Sequence, residues 1–237
     1  MVTIAIHGTG RMAAAITRVA EKNNDVHIAA LIGPRAPDWN TDIPYFPGLA
    51  EWDGKPDFLI DFSLPAGTET ASKWCMENGV PLVSGVTGLN ESAAAALESA
   101  GTAVPVLWSP NLSLGVNLLA DLAGRAGVVL SDSVPVAIED IHHQWKKDAP
   151  SGTALMLGER VAEGRPEGES AISYSSIREG DVIGDHTVRF SLGGEEFELV
   201  HRAHDRSIYA SGAISAGSWL MKQQAGLYQA RDWLSGS

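Results

Sequence analysis

The sequence predicts an α/β protein in two parts, an N-terminal Rossmann-type parallel sheet followed by a mixed α/β domain. Three observations carry that reading. Short apolar runs alternate with helical-period segments from Val2 to Pro110. A glycine turn, Gly8-Thr9-Gly10, joins the first run to the first helix. Beyond Pro110 the alternation gives way to a long helix, a strand, a second helix and a hairpin.

VTIAIHG (2–8) reads as a buried strand, and RMAAAITRVAEKNN places Met12, Ala15, Ile16 and Val19 at helical spacing. VHIAALIG (26–33) and DFLIDFS (57–63) are the second and third strands. TASKWCMENG (70–79) is a helix closed by Asn78-Gly79, and PLVSGVTG (81–88) is a strand plus loop. ESAAAALESAG is a helix with a glycine stop, and VPVLWSP (104–110) is a fifth strand. Strands alternating with helices imply parallel pairing through right-handed crossovers. In the second part, NLSLGVNLLADLAGRAG is a helix placed to bridge two domains, VPVAIEDIHH (134–143) a strand and GTALMLGERVAEG a helix. HTVRFSLGGEEFELVHRAH is a hairpin around Gly193-Gly194, which tolerates the positive φ of a tight turn. The polar stretch 164–185 reads as a long loop, and AISAGSWLMKQQAG and LYQARDWL as closing helices.

A chain of 237 residues with 44% hydrophobic and 19% charged residues has the balance of a soluble globular protein with a real core. Its net charge of -12 argues against nucleic-acid backbone binding, and an anionic ligand would need a locally positive pocket. The apolar runs are too short to cross a bilayer, so no membrane partner is expected. Met1 leads directly into a strand without a basic-then-apolar leader, and Cys75 is the only cysteine. Both features lead to the expectation of a cytoplasmic protein in which Cys75 is a packed small residue.

Gly8-Thr9-Gly10-Arg11-Met12-Ala13 fits G-x-G-x-x-A, a variant of the dinucleotide fingerprint. Gly8 permits the tight turn, Gly10 lets a pyrophosphate approach the backbone, and Ala13 lets helix and strand pack closely. The helix N-terminus supplies amide donors and the positive end of the dipole. No carboxylate follows the second strand, which ends Leu31-Ile32-Gly33-Pro34-Arg35. A carboxylate there would repel a 2′-phosphate, whereas Arg35 or Arg11 would attract it, so NADPH is favoured over NADH.

Residues 141–154 read IHHQWKKDAPSGTA and gather basic groups before a helix start. In an extended segment His142 and His143 point to opposite sides. Asp148 or Ser151 can cap the next helix, and Pro150 ends any earlier one. Lys146, the amides of Gly152 and Thr153, and the Thr153 hydroxyl then make a carboxylate clamp, with Lys147 adding to the local field. A histidine titrates near neutrality and can deliver a proton, which a nearby ammonium helps to release. A solvated basic loop with one buried histidine is the bland alternative. A metal site joining His142 or His143 to His201 and His204 is disfavoured, since i and i+3 diverge on a strand, and no metal is expected.

HHQWKKDAPSGTA, with GTGRM near the start, resembles the 4-hydroxy-tetrahydrodipicolinate reductase (dihydrodipicolinate reductase) family of bacterial lysine and diaminopimelate synthesis. DFSLPAGT (61–68), SGVTGLNE (84–91), SPNLSLGVN (109–117), REGDVIGDHT (178–187) and HRAHDR (201–206) fall in the family's order, so the resemblance covers nearly the whole chain. The first turn is one residue shorter than the family's G-x-G-G-R-M-G, and the family's acidic residue after the second strand is missing. Where the family often has G-T-T, this chain has Gly85-Val86-Thr87.

The resemblance implies a dinucleotide-binding domain of residues 1–112 and 207–237 and a substrate-binding and oligomerisation domain of residues 113–206. The sheet of the second would build a homotetramer, helped by the 164–185 loop. It implies NADPH or NADH as cofactor, held by Gly8, Thr9, Gly10, Arg11, Met12 and Arg35. Gly85, Val86 and Thr87, then Ser109, Pro110, Asn111 and Leu112, complete that cofactor site. The substrate would be a cyclic imine dicarboxylate: 4-hydroxy-tetrahydrodipicolinate loses water, takes hydride at C4 and a proton at C3. His142 is the expected proton donor, and Lys146 steadies the developing negative charge or assists protonation. His143, Gly152 and Thr153 would hold a carboxylate. Two other readings are an aspartate or diaminopimelate type of amino- or imino-acid dehydrogenase, and a non-catalytic nucleotide-sensing regulator. The first needs an ammonia-handling site and the second a basic stripe or helix-turn-helix, neither of which the sequence offers.

Overall fold

The first strand, β1 (Val2–His7), buries Ile4, Ala5 and Ile6 completely, as a central parallel strand covered on both faces must. In the computed structural model, which describes residues 1–130, 133–165 and 171–236, the chain divides into two compact units. They are Met1–Leu112 with Ser207–Ser237, and Ser113–Arg206.

The first unit holds a seven-stranded parallel sheet. It adds β2 (Val26–Ile32), β3 (Tyr45–Phe46), β4 (Phe58–Asp61), β5 (Leu82–Ser84), β6 (Pro105–Trp108) and, from the C-terminal segment, β11 (Gly226–Tyr228). The order β11-β6-β5-β4-β1-β2-β3 runs outward in both directions from the β4–β1 pair, a topological switch point at the carboxyl ends of the strands. Alternation along each strand divides the core. Ile4, Ile6, Phe58 and Ile60 pack with Ile16 of α1 (Arg11–Ala20), Ala213 of α6 (Ser207–Leu220) and Trp233 of α7 (Ala230–Ser235). Ala5, Leu59 and Leu82 face the other way, onto Ala71 and Cys75 of α2 (Pro65–Asn78) and Leu97 of α3 (Glu91–Gly101). Helix α2 opens with Pro at its first position and closes on Gly79 in the left-handed region at φ 66°. Asn90 caps α3 by accepting from the Ala93 amide at 2.9 Å.

The second unit is a four-stranded mixed sheet with two helices on one face. Its strands are β7 (Val136–His142), β8 (Ile172–Arg178), β9 (Gly184–Ser191) and β10 (Glu196–Ala203), in the order β10-β9-β7-β8. β7 is parallel to β8 and antiparallel to β9, and the β9–β10 hairpin turns at Gly193 with φ 83°. Val136, Ile138, Val188 and Phe190 pack against Leu119 and Ala123 of α4 (Leu114–Val129) and Leu157 of α5 (Gly152–Ala162).

Three expectations change. The stretch 164–185 is not one loop: Ile172–Arg178 is strand β8, whose Ile172 faces the core while Ser173, Ser175 and Ile177 are exposed. Residues 166–170 of that stretch lie outside the described residues. LYQARDWL is not one helix, because Gly226–Tyr228 pairs with β6 as an edge strand before α7 begins. AISAGSWLMKQQAG is helical only to Leu220, and α6 begins earlier, at Ser207. Helix α4 falls within the second unit. Its Gly124 and Gly127 lie against the α5 backbone, where a Cβ on Gly124 would come within 3.2 Å of the Arg160 carbonyl.

Trp233, 1% exposed, is the largest fully buried side chain among the described residues, and it ties the C-terminal helix to the first sheet's core. Trp233→Ala is expected to destabilise the first unit by about 3–5 kcal/mol, read as a lower denaturant midpoint at unchanged m-value.

Candidate active site

In the first unit the carboxyl ends of four strands align. His7 pairs in register with Asp61, Asp61 with Ser84, and Ser84 with Trp108. The loops that follow β1, β5 and β6 therefore start from one edge. They carry the glycine turn, Gly85-Val86-Thr87 and Ser109-Pro110-Asn111-Leu112, so the fold brings these candidate cofactor segments together. Gly8 sits at φ 104°, and a Cβ there would stand 2.6 Å from the Phe62 carbonyl, so no other residue fits. Gly10 meets nothing where a Cβ would project, and α1 begins with no side-chain cap. Open space above uncapped first-turn amides fits a pyrophosphate.

Thr9 fixes the next loop by donating its hydroxyl to the Arg35 carbonyl at 2.7 Å. Arg11 and Arg35 are exposed, and Met12 is half-buried against the core. Val86 is buried, and its carbonyl accepts from Trp108 Nε1 at 2.9 Å, while Thr87 is exposed. The Ser109 hydroxyl donates to the Asn111 carbonyl at 2.6 Å. Leu112 is buried in the core, which leaves only its backbone to meet a ligand.

In the second unit β7 stops at His142, and the chain bends. The Lys146 amide donates to the His143 carbonyl at 3.1 Å, and the Gln144 amide to the Gly180 carbonyl at 3.2 Å. His142 is buried, His143 is half-buried against the exposed Trp145, and Lys147 is exposed. Ser151, rather than Asp148, caps α5, accepting from the Ala154 amide at 3.1 Å. Asp148 instead holds Lys146, with Nζ 2.8 Å from Oδ2. The Ala149–Pro150 bond is cis. Gly152, exposed with no neighbour within 4 Å of where a Cβ would stand, and Thr153 form the first turn of α5. Two histidines, two lysines and the opening turn of a helix thus lie within one short segment.

The centre of this arrangement is a residue the sequence reading did not single out. Asp140, fully buried on β7, accepts from His142 Nδ1 at 2.9 Å, Arg178 Nη1 at 2.7 Å, Ser176 Oγ at 2.7 Å and the Ser151 amide at 3.2 Å. Cross-strand register supplies two of these donors, since Asp140 lies opposite Ser176, and His142 opposite Arg178. Asp140 also lies opposite His186, which lies opposite His201. The rings of His142 and His186 meet edge-on at 5.2 Å. The available signal was period two: in VAIEDIH, Asp140 falls on the same face as Val136 and Ile138. Among the described residues no cluster of three histidine, cysteine or acidic groups is arranged to hold a metal ion. None of the described helices is long and apolar enough to cross a membrane.

Protonation follows from these contacts. Burial acts to raise the Asp140 pKa, but the donors from Ser176, Ser151, Arg178 and His142 outweigh it and hold the carboxyl below its usual range. An ionised carboxylate only accepts, so the His142 proton sits on Nδ1. Burial, helped by Lys146 and Arg178, lowers the His142 pKa against the opposing pull of Asp140. Burial and the neighbouring His142 push His186 down to about 3, and burial lowers His201.

Residues 2–112 match the family described as dihydrodipicolinate reductase, N-terminus, and residues 115–234 match dihydrodipicolinate reductase, C-terminus. A 4-hydroxy-tetrahydrodipicolinate reductase of Stenotrophomonas maltophilia is 42% identical over 98% of this chain and 97% of its own. One from Xylella fastidiosa is 41% identical over 97% of this chain and 96% of its own. A solved dipicolinate-bound dihydrodipicolinate reductase from Paenisporosarcina sp. TG-14 shares the fold at TM-score 0.81 and 24% identity, covering 97% of both chains.

His186 titrates in the unfolded chain near 6.5 but in the folded chain only at about 3. Between those values the unfolded state binds the extra proton, so stability is full above pH 6.5 and is lost as pH falls. The stability difference between wild type and His186→Gln should therefore change with pH below 6.5 by up to about 1.4 kcal/mol per pH unit, measured by denaturant titration. A difference independent of pH would contradict the assigned shift.

Proposed function

The chain belongs to the dihydrodipicolinate reductase family, and on that premise we propose that it reduces the dehydrated form of 4-hydroxy-tetrahydrodipicolinate to tetrahydrodipicolinate. A reduced nicotinamide, when bound, supplies the hydride for ring C4. The protein's part is to hold the dicarboxylate and deliver the proton to C3. The observation that carries this reading is the convergence of His142, Lys146 and the start of α5 within one bend of the chain.

Each group has a role its chemistry suits. The α5 first turn at Gly152 and Thr153 offers amide donors to one carboxylate, and His143 assists. His142, whose Nδ1 proton is committed to Asp140, leaves Nε2 as the nitrogen that takes up a proton and hands it on to C3. Its lowered pKa favours release of that proton. Lys146 stands beside the charge that develops during the transfer. The aspartate- or diaminopimelate-dehydrogenase reading has less behind it. A C. glutamicum DAP dehydrogenase shares the fold at TM-score 0.61 but only 14% identity.

The finer points extend the same proposal. The cofactor is held by the glycine turn and the loops after β5 and β6, and NADPH is preferred, because no carboxylate follows β2 while Arg35, in the loop after it, and Arg11, opening α1, are exposed cations that would attract a 2′-phosphate. The assembly is a homotetramer built on the helix-free face of the β7–β10 sheet, where Ile177 and Val200 are exposed. The single cysteine, free and buried, suits a cytoplasmic enzyme.

Wild-type protein mixed with freshly made cyclic imine dicarboxylate should consume nicotinamide absorbance. His142→Gln should lower turnover by about 10²–10⁴-fold with cofactor affinity intact. Equal turnover in the two proteins would remove His142 from the reaction. Paired titrations should give tighter binding of NADPH than of NADH, and Arg35→Ala should narrow the gap. Tighter binding of NADH by the wild type would reverse the assigned preference.

A further inference from the structure

The geometry around Asp140 points to a positioning residue, an inference that rests on the functional reading above. We propose that the Asp140 carboxylate fixes the tautomer of His142 and, through the same four hydrogen bonds, sets the register between that imidazole and the α5 helix start.

The donors divide between the two oxygens. Oδ2 takes His142 Nδ1 and Arg178 Nη1, at 2.9 and 2.7 Å, while Oδ1 takes Ser176 Oγ and the Ser151 amide, at 2.7 and 3.2 Å. A carboxylate has about four lone-pair sites, so Asp140 is saturated. Its donors come from three separate pieces of chain: β7, β8 and the capping residue of α5. Arg178 extends the network one step further, donating Nη2 to the Asp148 carbonyl at 2.6 Å. The proton donor, the first turn of the clamp and the loop between them are thereby keyed to one buried group.

His186 stands edge-on to the imidazole at 5.2 Å. Two residues earlier on the same strand, a Cβ at Gly184 would lie 3.1 Å from His142 Nε2, so a bare glycine leaves room for that nitrogen. Asparagine at 140 cannot reproduce this arrangement. Its amide group would face either the Arg178 guanidinium or the Ser151 amide, setting donor against donor, or would donate to Nδ1 and force the proton onto Nε2.

The test is nitrogen-15 NMR of histidine-labelled protein, above the pH at which His142 titrates, together with kinetics. Wild type should show His142 protonated at Nδ1; a proton on Nε2 would overturn the proposal whether or not any variant folds. Asp140→Asn should lower kcat by about 10²-fold with cofactor affinity unchanged, the proton moving to Nε2 where the amide NH2 takes the Oδ2 position. Retention of the Nδ1 proton with turnover within about twofold of wild type would overturn the proposal. Arg178→Gln, which keeps the carboxylate, should leave the His142 tautomer in place. It should weaken binding of 2,6-pyridinedicarboxylate, used as a flat dianionic probe, by about tenfold. Unchanged probe affinity would break the link to the loop. If the wild type consumes no nicotinamide with the imine, the functional reading falls, yet the tautomer and probe measurements still decide this inference.

Discussion

A carboxylate buried inside a sheet must have its oxygens met by donors, because an unpaired buried charge is costly enough to unfold a domain. Among the described residues this protein faces that constraint twice. Asp61, fully buried at the end of β4, accepts from Ser63, Thr68 and Ser84 and lies 3.1 Å from His7 Nδ1. Asp140, fully buried in β7, accepts from His142, Ser151, Ser176 and Arg178. In each case the donors come from separate strands, loops or helix starts. Satisfying the charge therefore specifies how those pieces meet, and the residues nominated for function hang from that specification.

In the first unit the organised edge is where a dinucleotide is expected. His7, one residue before Gly8, is held by Asp61, and the same carboxylate collects Ser84 from the strand before Gly85-Val86-Thr87. The glycine turn is thus set against its neighbouring loop by hydrogen bonds as well as by packing. In the second unit the organised edge is the basic segment. Lys146 and Asp148 pair at the surface, which holds the ammonium in place at modest energetic return. Beneath them Asp140 supplies the firm connection, because its partners are buried and charge-assisted.

The preference for neutral histidines follows from the same burial. A protonated His186 would be desolvated and would stand near His142, His201 and Lys146, so burial and like charge keep it neutral through the physiological range. That leaves His142 as the imidazole with both a carboxylate anchor and a place near the basic bend. A row of three rings across β7, β9 and β10 is therefore divided in role. One ring is anchored to a carboxylate and is the one proposed for proton transfer, while burial disfavours the charged form of His186 and His201.

The sequence by itself determined the alternation of strand and helix, the glycine turn, the hairpin at Gly193 and the concentration of basic groups before α5. These features are written in neighbouring residues, as periodicity, positive-φ glycines and capping side chains. It also carried the family resemblance, through the unbroken run from His142 to Ala154. The tertiary structure alone decided what joins distant segments. Strand β8 was masked by its serines, whose polarity reads as loop until Asp140 is seen to need Ser176 as a donor. The short edge strand β11 is legible only beside β6, because three residues carry no period of their own. Arg178 and His186 lie 38 and 46 residues from Asp140 and His186's ring partner His142 lies on another strand, so only the register of the sheet could bring them together. Local pattern fixes what a segment can be, whereas the demand of a buried charge for donors is met across the fold and leaves no mark at any single place in the chain.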